Sequence, residues 1–494
     1  MKPLSWRTIV ACFVAGALLV LAFAPFEYFP ISFISVAILF RYWQHLSPSA
    51  SFWSGLAFGY GLYGIGVSWV YVSLATYGGM PFWMGAIAVL GFAGILALFV
   101  ACTGWCAARF FANHRLLALP GLWVVFEWMQ SWVLTGFPWL DLGYTQTPSW
   151  LFALAPIGGV YLVSLSVAMI AACLVHLVAK QSSLWAIVCI GVVSIVALLV
   201  NEVQWSEPVG EPLVVGIVQP NTPIEKKWRS NYRDGLLTRL AQESAKLKAE
   251  ASVDLVIWPE TALPLYLQQT DNAFWQSIVP SNTALLTGIM DSPSLATGSL
   301  QESYNAAVLL CGDDEPQLYR KRHLVPFGEY LPLRFLFSWV LEYLDLPMSD
   351  FSSWQGQQTL ACDNGINLGL SICYEDAFAG EHQRHVGDAT LLVNISEDAW
   401  FGDSLAPHQR LQMAQMRARE LARPLLRSAN SGPSVVISEH GKVLAQTQQF
   451  KAQTLSHTVQ PRTGDTLYKQ FGNWVIYILL TFLVAVLVYQ RKRR

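Results

Sequence analysis

Charge is scarce in the first 200 residues. They hold nine acidic or basic side chains, Lys2, Arg7, Glu27, Arg41, Arg109, Arg115, Glu127, Asp141 and Lys180, and the other 55 of 64 follow residue 200. A stretch so poor in charge is not the surface of an ordinary soluble domain. The formal net charge of −2, with no basic stripe in the polar part, excludes a nucleic-acid-binding role. Cysteine is sparse, and no spacing suggests a zinc site or any other metal. Five of the eight, Cys12, Cys102, Cys106, Cys173 and Cys189, fall in apolar runs, where a thiol behaves as a small hydrophobe. Cys311, Cys362 and Cys373 remain. An odd count in an oxidising compartment leaves at least one free thiol, and the sequence leaves open whether Cys311 and Cys362 pair. Internal repeats and low-complexity linkers are also absent.

What the chain has instead is long apolar runs, with 53% hydrophobic residues and a mean hydropathy of +0.38. A bilayer core needs about 20 apolar residues per helix. Runs of that kind lie near 8–25, 29–46, 52–74, 82–106, 116–134, 151–178, 184–200 and 472–490, so eight transmembrane helices are expected. Lys2, Arg7 and Ala22-Phe23-Ala24 have the form of a signal peptide, but Pro25 after the small-residue site and the further spans argue for an uncleaved helix. With the N-terminus inside, the inner connections carry Lys2, Arg7, Arg41, Arg109, Arg115, Lys180 and the Arg491–Arg494 tail. The outer short loops carry no Lys or Arg. Both termini are therefore expected in the cytoplasm and residues 201–470 outside it. Glu127, an acid at membrane depth, is read as a structural hydrogen-bonding group.

From residue 213 short β-rich runs alternate with helical patterns. Strands are expected at 213–219, 254–258, 284–290, 306–310, 366–373, 390–396 and 434–438, and helices at 230–250, 376–386 and 408–422. The chain thus divides into a membrane domain (1–205), a layered α/β domain (206–468), and a last span with a basic tail (469–494).

Three strand ends carry chemistry. "LVIWPETALP" stops an apolar strand at Pro259 and delivers Glu260 to its C-terminal edge, where α/β sheets gather ligand sites. In "QLYRKRHLVPFGEYLP" an extended 317–323 places Tyr319, Lys321 and His323 on one face and Arg320 and Arg322 on the other, with Glu329 able to fold back on Lys321. In "INLGLSICYEDAF" Cys373 falls with Asn367, Gly369 and Ser371, away from the apolar row of Ile366, Leu368, Leu370 and Ile372. A cysteine nucleophile needs a base and a cation for the developing oxyanion. Glu260 and Lys321 fit those roles, with the backbone N–H of Tyr374 as a further donor. The acids that follow, Glu375 and Asp376, are expected to turn away from the sulfur.

The order Glu…Lys…Cys in "WPE", "YRKRHLVPFGE" and "CYED" resembles the nitrilase superfamily. With the apolar runs, "TGFPWLDLGYTQ" (135–146), "EDAWFGDS" (397–404) and "RSANSGPS" (427–434), the whole chain resembles its membrane-bound branch, the bacterial apolipoprotein N-acyltransferases. The resemblance implies a four-layer αββα nitrilase-like sandwich on a multi-span α-helical bundle. It implies a catalytic Glu260, Lys321 and Cys373, with Glu329, Tyr374 and Glu375 supporting the active site and Trp228 contacting substrate. It also implies acyl transfer from a phospholipid, through a Cys373 thioester, to the N-terminal amine of a diacylglyceryl-apolipoprotein. No cofactor or metal is implied. The protein is expected as a monomer in the bacterial inner membrane, its catalytic domain periplasmic. A membrane-tethered amidase or hydrolase would share the same triad. Glu397 departs from the asparagine common before "DAWFG". The apolar stretch 334–347 is expected to dip into the outer leaflet as a lid.

Overall fold

The computed structural model describes residues 4–179, 183–279, 283–297, 302–312, 315–332, 350–356, 359–362 and 365–492. The expected lid at 334–347 lies outside the described residues. Each of the eight apolar runs is helical. Seven precede the polar block: α1 (Trp6–Leu19), α2 (Pro30–Trp43), α3 (Pro48–Gly66), α4 (Phe82–Phe110), α5 (Arg115–Gln130), α6 (Ala155–Val178) and α7 (Ser183–Asn201). The eighth, Trp474–Lys492, follows it.

Length separates them. Among the described residues, Phe82–Phe110, Trp150–Val178 and Leu184–Asn201 are long and apolar enough to cross a bilayer. Pro48–Gly66 with Val70–Tyr77 makes a fourth if its 58° bend lies within one span. Trp6–Ala22, Pro30–Trp43 and Trp474–Gln490 are apolar but shorter. Proline accounts for part of this, since Pro30 and Pro48 stand in the first turn of α2 and α3 and fix where those helices begin. Small residues let the helices approach closely. A Cβ added at Gly16 of α1 or Gly61 of α3 would collide with the carbonyls of Phe58 and Phe13, and Gly55 and Gly59 of α3 lie against Ala101 and Ala97 of α4.

The polar block holds two six-stranded sheets. One is built from β1 (Leu213–Gln219), β2 (Leu255–Ile257), β3 (Ala284–Asp291), β4 (Tyr304–Cys311) and β5 (Gln317–Arg320) in sequential order. The second holds β6 (Leu360–Ala361), β7 (Asn367–Ile372), β8 (Leu391–Ser396), β9 (Leu425–Ala429), β10 (Val435–Ile437) and β11 (Val443–Gln446). Strand β12 (Gln453–Val459) then returns to pair antiparallel with β1 and closes the first sheet's edge. The pairs β1–β2, β2–β3, β7–β8 and β8–β9 are parallel, and the outer pairs antiparallel. Strand ends that carry function therefore emerge on one side.

Side chains show how the layers stack. Ile217, Ile257, Leu286 and Leu309 of the first sheet share a core with Leu368, Leu370, Ile372, Val393 and Leu426 of the second. The first sheet's other face buries Val218, Val256 and Leu285 under α8 (Ser230–Ala251) and α9 (Asn272–Ile278), through Leu236, Leu240, Leu247 and Trp275. The second sheet's other face packs under α10 (Ala379–His385) and α11 (Ala406–Leu421), and the same apolar cluster continues into the membrane helices. The order is α, β, β, α, with α11 shared between sandwich and bundle.

That sharing explains why α11 buries polar residues on nearly every side. Gln409 accepts from the indoles of Trp69 and Trp139 and donates to the Gly66 carbonyl. Glu420 accepts from Val160 N–H at 2.7 Å, and Arg417 Nη2 donates to the Tyr144 hydroxyl at 3.3 Å. Glu127 accepts from Trp123 and from Leu142 N–H, which is the structural role expected of it. Each bond satisfies a group that burial would otherwise leave costly.

Candidate active site

The structure brings Glu260, Lys321 and Cys373 to one end of the sandwich. Glu260 follows β2 and is buried. The loop that carries it lies against Gly288 of β3, where any Cβ would strike Glu260 and Thr261 backbone atoms. Its Oε1 accepts from Asn305 Nδ2 at 2.6 Å and lies 3.6 Å from Lys321 Nζ; its Oε2 accepts from Glu397 N–H at 2.8 Å. Lys321, one residue past β5, is 1% exposed and donates to Glu329 Oε1 at 2.8 Å. Asn305 also donates to Glu329 Oε1, and Val325 N–H donates to Glu329 Oε2. Burial opposes the Lys321 charge, but Glu329, Glu260 and Cys373 outweigh it and raise its pKa above the ordinary lysine value. A fixed ammonium thus sits between two carboxylates.

Cys373 follows β7 directly and opens a short helical turn, Cys373–Ala377. Its φ is +51°, a left-handed conformation that a residue with a Cβ adopts only when its surroundings hold it there. This overturns the strand-alternation reading of its side chain. The reversed backbone puts Cys373 in the apolar cluster between the sheets, with Leu368, Leu370 and Ile372. Burial, with Glu260 adding to it, raises the thiol to about 12, against the pull of Arg410 and Lys321; Asp398 raises it further. At neutral pH the cysteine rests as a thiol. Its alkylation rate is expected to climb about tenfold per pH unit from pH 7 to 10, without a plateau. Iodoacetamide labelling at Cys373, read by peptide mass spectrometry, checks this; a plateau near pH 8 would contradict it.

Both acids after Cys373 are held by partners. Glu375 accepts from Ile372 N–H at 2.6 Å, Tyr319 Oη at 2.8 Å, Arg322 N–H at 2.6 Å and His323 N–H at 3.2 Å. It therefore ties the cysteine turn to the lysine segment. Asp376 pairs with Arg410 at 2.9 Å and Arg427 at 3.1 Å. Tyr319 and Lys321 are both buried while Arg320 stacks outside on Tyr304 and Trp354, so the alternation holds that far. It breaks at Arg322, whose guanidinium turns back over the Tyr319 ring. Cys311 and Cys362 form a disulfide, which leaves Cys373 as the free thiol of the polar block.

The site also touches the bundle. Tyr374 Oη donates to the Gly136 carbonyl at 3.0 Å, and its ring lies against Phe137, Trp139, His323 and Phe378. Trp228, expected to meet substrate, is 38% exposed at the end of the short helix Ile224–Lys227. Its neighbour Lys227 is the buried one. Lys227 Nζ donates to the Glu260 carbonyl (3.0 Å), Thr261 Oγ1 (2.9 Å) and Glu397 Oε2 (2.8 Å). Glu397 also accepts from Asn430 Nδ2. The glutamate at this position is thus balanced by Lys227. Lys227→Met is expected to cost about 3–5 kcal/mol of stability by leaving Glu397 unpaired. Thermal unfolding in detergent measures it, and Lys227→Met with Glu397→Gln should recover part of the loss.

Lys227, Asn305, Glu397 and Arg410 were not singled out as site residues from sequence. Lys227 adjoins the tryptophan that drew attention, and "IEKKW" alone does not say which of its lysines is buried.

Comparison with known proteins supplies the rest. Residues 15–173 match the apolipoprotein N-acyltransferase N-terminal domain family, and residues 214–468 match the carbon-nitrogen hydrolase family. An apolipoprotein N-acyltransferase of Methylococcus capsulatus is 36% identical over 99% of this chain and 97% of its own. The chain belongs to the apolipoprotein N-acyltransferase family. Proteins of the same name from Nitrosomonas europaea (36% identical, 96% of each chain) and Coxiella burnetii (37% identical, 96% of this chain and 99% of its own) are similarly close. The matched hydrolase region contains both sheets, and the matched N-terminal region runs from the end of α1 to most of α6.

Proposed function

We propose that the chain moves an acyl group from a membrane phospholipid to the N-terminal amine of a diacylglyceryl-apolipoprotein, through a thioester on Cys373. The observation that carries this reading is the Glu260–Lys321–Cys373 cluster buried at the sandwich edge that rests on the apolar bundle. Glu260 takes the thiol proton as the sulfur attacks the ester carbonyl. Lys321 faces the oxyanion of the tetrahedral intermediate. The intermediate collapses, the lysophospholipid alkoxide leaves, and Glu260 returns the proton to it. The acceptor amine then attacks the thioester, Glu260 removes its proton, sulfur departs with the C–S electron pair, and Glu260 returns the proton to the thiolate. Glu329 and Asn305 hold Lys321 and Glu260 in place, and Glu375 and Tyr374 hold the cysteine turn. Trp228 is assigned to substrate contact at the exposed rim.

The domain division at 1–205, 206–468 and 469–494 belongs to the same reading. So do eight crossings, cytoplasmic termini, a periplasmic catalytic domain in the inner membrane and action as a monomer. Lys and Arg on the expected inner loops support the orientation. Incubating the enzyme with labelled phospholipid and a diacylglyceryl lipopeptide tests the reaction. Label on the lipopeptide amine is expected; release as free fatty acid alone would identify a hydrolase instead.

A further inference from the structure

Helix α11 delivers one side chain to the back of the nucleophile. Arg410 is 1% exposed, its Nη1 lies 3.6 Å from Cys373 Sγ, and its Nη2 donates to the Cys373 carbonyl at 2.6 Å. We propose that Arg410 is a further catalytic residue, a second cation that stabilises the Cys373 thiolate as it forms and as it departs. This rests on the reading of Cys373 as the acyl carrier.

The surroundings favour a role beyond packing. Arg410 Nη2 pairs with Asp376 at 2.9 Å and Nη1 with Asp398 at 2.7 Å. Arg427 already bridges the same two aspartates at 3.1 and 2.7 Å. Two arginines thus balance two aspartates, and beyond those ion pairs Arg410 reaches Ser396 Oγ, Asn394 Oδ1 and the nucleophile's sulfur and carbonyl. Asn394 donates to that carbonyl as well, so the left-handed turn has a second holder. Lys321 is committed between Glu260 and Glu329, which divides its charge. The charged groups acting on the sulfur are then Glu260 and Asp398, which oppose the thiolate, and Lys321 and Arg410, which favour it.

The bookkeeping of the two half-reactions shows where this matters. In acylation the S–H bond breaks, its proton goes to Glu260, and the sulfur electron pair forms the C–S bond. In deacylation the N–C bond forms, the amine proton goes to Glu260, the C–S pair returns to sulfur, and Glu260 passes the proton to that thiolate to restore the resting thiol. Both barriers pass through negative charge on Sγ, and Arg410 is a cation within hydrogen-bonding reach of it.

Iodoacetamide labelling of full-length enzyme, quantified at the Cys373 peptide from pH 7 to 10, tests the proposal with Arg410→Gln and Arg410→Lys. Removing an adjacent positive charge raises a thiol's pKa by about one unit or more, so Arg410→Gln should label at least about tenfold more slowly at each pH. Arg410→Lys, which keeps charge but loses the guanidinium fork, should stay within about threefold of the parent. A Gln variant that unfolds like the parent and labels at the parent rate overturns the proposal. Should the Gln variant fail to fold, the Lys variant decides: parent-like labelling supports a charge role, and a tenfold loss refutes it in favour of positioning alone. Labelling reports on the thiol whether or not phospholipid acylates it. Failure of the acyl-carrier reading would appear separately, as the absence of a fatty-acyl adduct on Cys373.

Discussion

Cys373→Ala is expected to abolish acyl transfer, with a loss on the order of 10⁴-fold or more, while leaving a folded protein. The rate loss follows from removing the atom proposed to carry the acyl group. The other described free thiols, Cys12, Cys102, Cys106, Cys173 and Cys189, sit in the apolar helices. The fold should survive because the change removes one sulfur from a position that Arg410 and Asn394 hold through its backbone carbonyl. Truncation costs about 1 kcal/mol at such a site. Cys373→Ser should also be inactive in turnover. A hydroxyl is harder to ionise than a thiol, and the buried site already opposes negative charge on sulfur. Transfer by either variant within tenfold of the parent would remove Cys373 from the mechanism.

Lys321→Met is the second large effect, and it acts on rate and stability together. The ammonium lies 2.8 Å from Glu329 Oε1 and 3.6 Å from Glu260 Oε1, all three groups buried. Without it two carboxylates face each other with Asn305 as their shared donor. Leaving a buried charge uncompensated costs about 3–5 kcal/mol. Loss of the proposed oxyanion cation adds about 10²–10³ in rate. Lys321→Met with Glu329→Gln should recover much of the stability and none of the rate, because only the first depends on charge balance. Unfolding midpoints and transfer rates in the same detergent separate the two. Recovery of rate in the double variant would move the oxyanion role away from Lys321.

The sequence made the proposed triad visible because each member stands at the end of an apolar strand, next to punctuation such as Pro259 or the Cys-Tyr turn. The strands from 213 to 219 and from 284 to 291 were legible for the same reason. Strand β9 was not read, because Arg427 interrupts its apolar run, and the partners that neutralise Arg427, Asp376 and Asp398, lie 51 and 29 residues away. Arg410 was missed on similar grounds. The helical spacing of Leu411, Ala414, Ala418 and Leu421 identified the helix but gave no reason to single out Arg410 beside them. In the folded chain both sides of α11 are covered, one by the second sheet and one by the bundle. The orientation of Cys373 was misjudged because strand alternation fails at a left-handed residue, which no local pattern announces.

The central claim is that Cys373 carries an acyl group taken from phospholipid. Intact-protein mass spectrometry after incubation with phospholipid alone, with no acceptor, tests it directly. One fatty-acyl mass added to the parent, mapped to Cys373, removed by a lipopeptide amine and absent from Cys373→Ala, is the result predicted. An unmodified parent that still transfers when acceptor is added, or an adduct at any other residue, would contradict it.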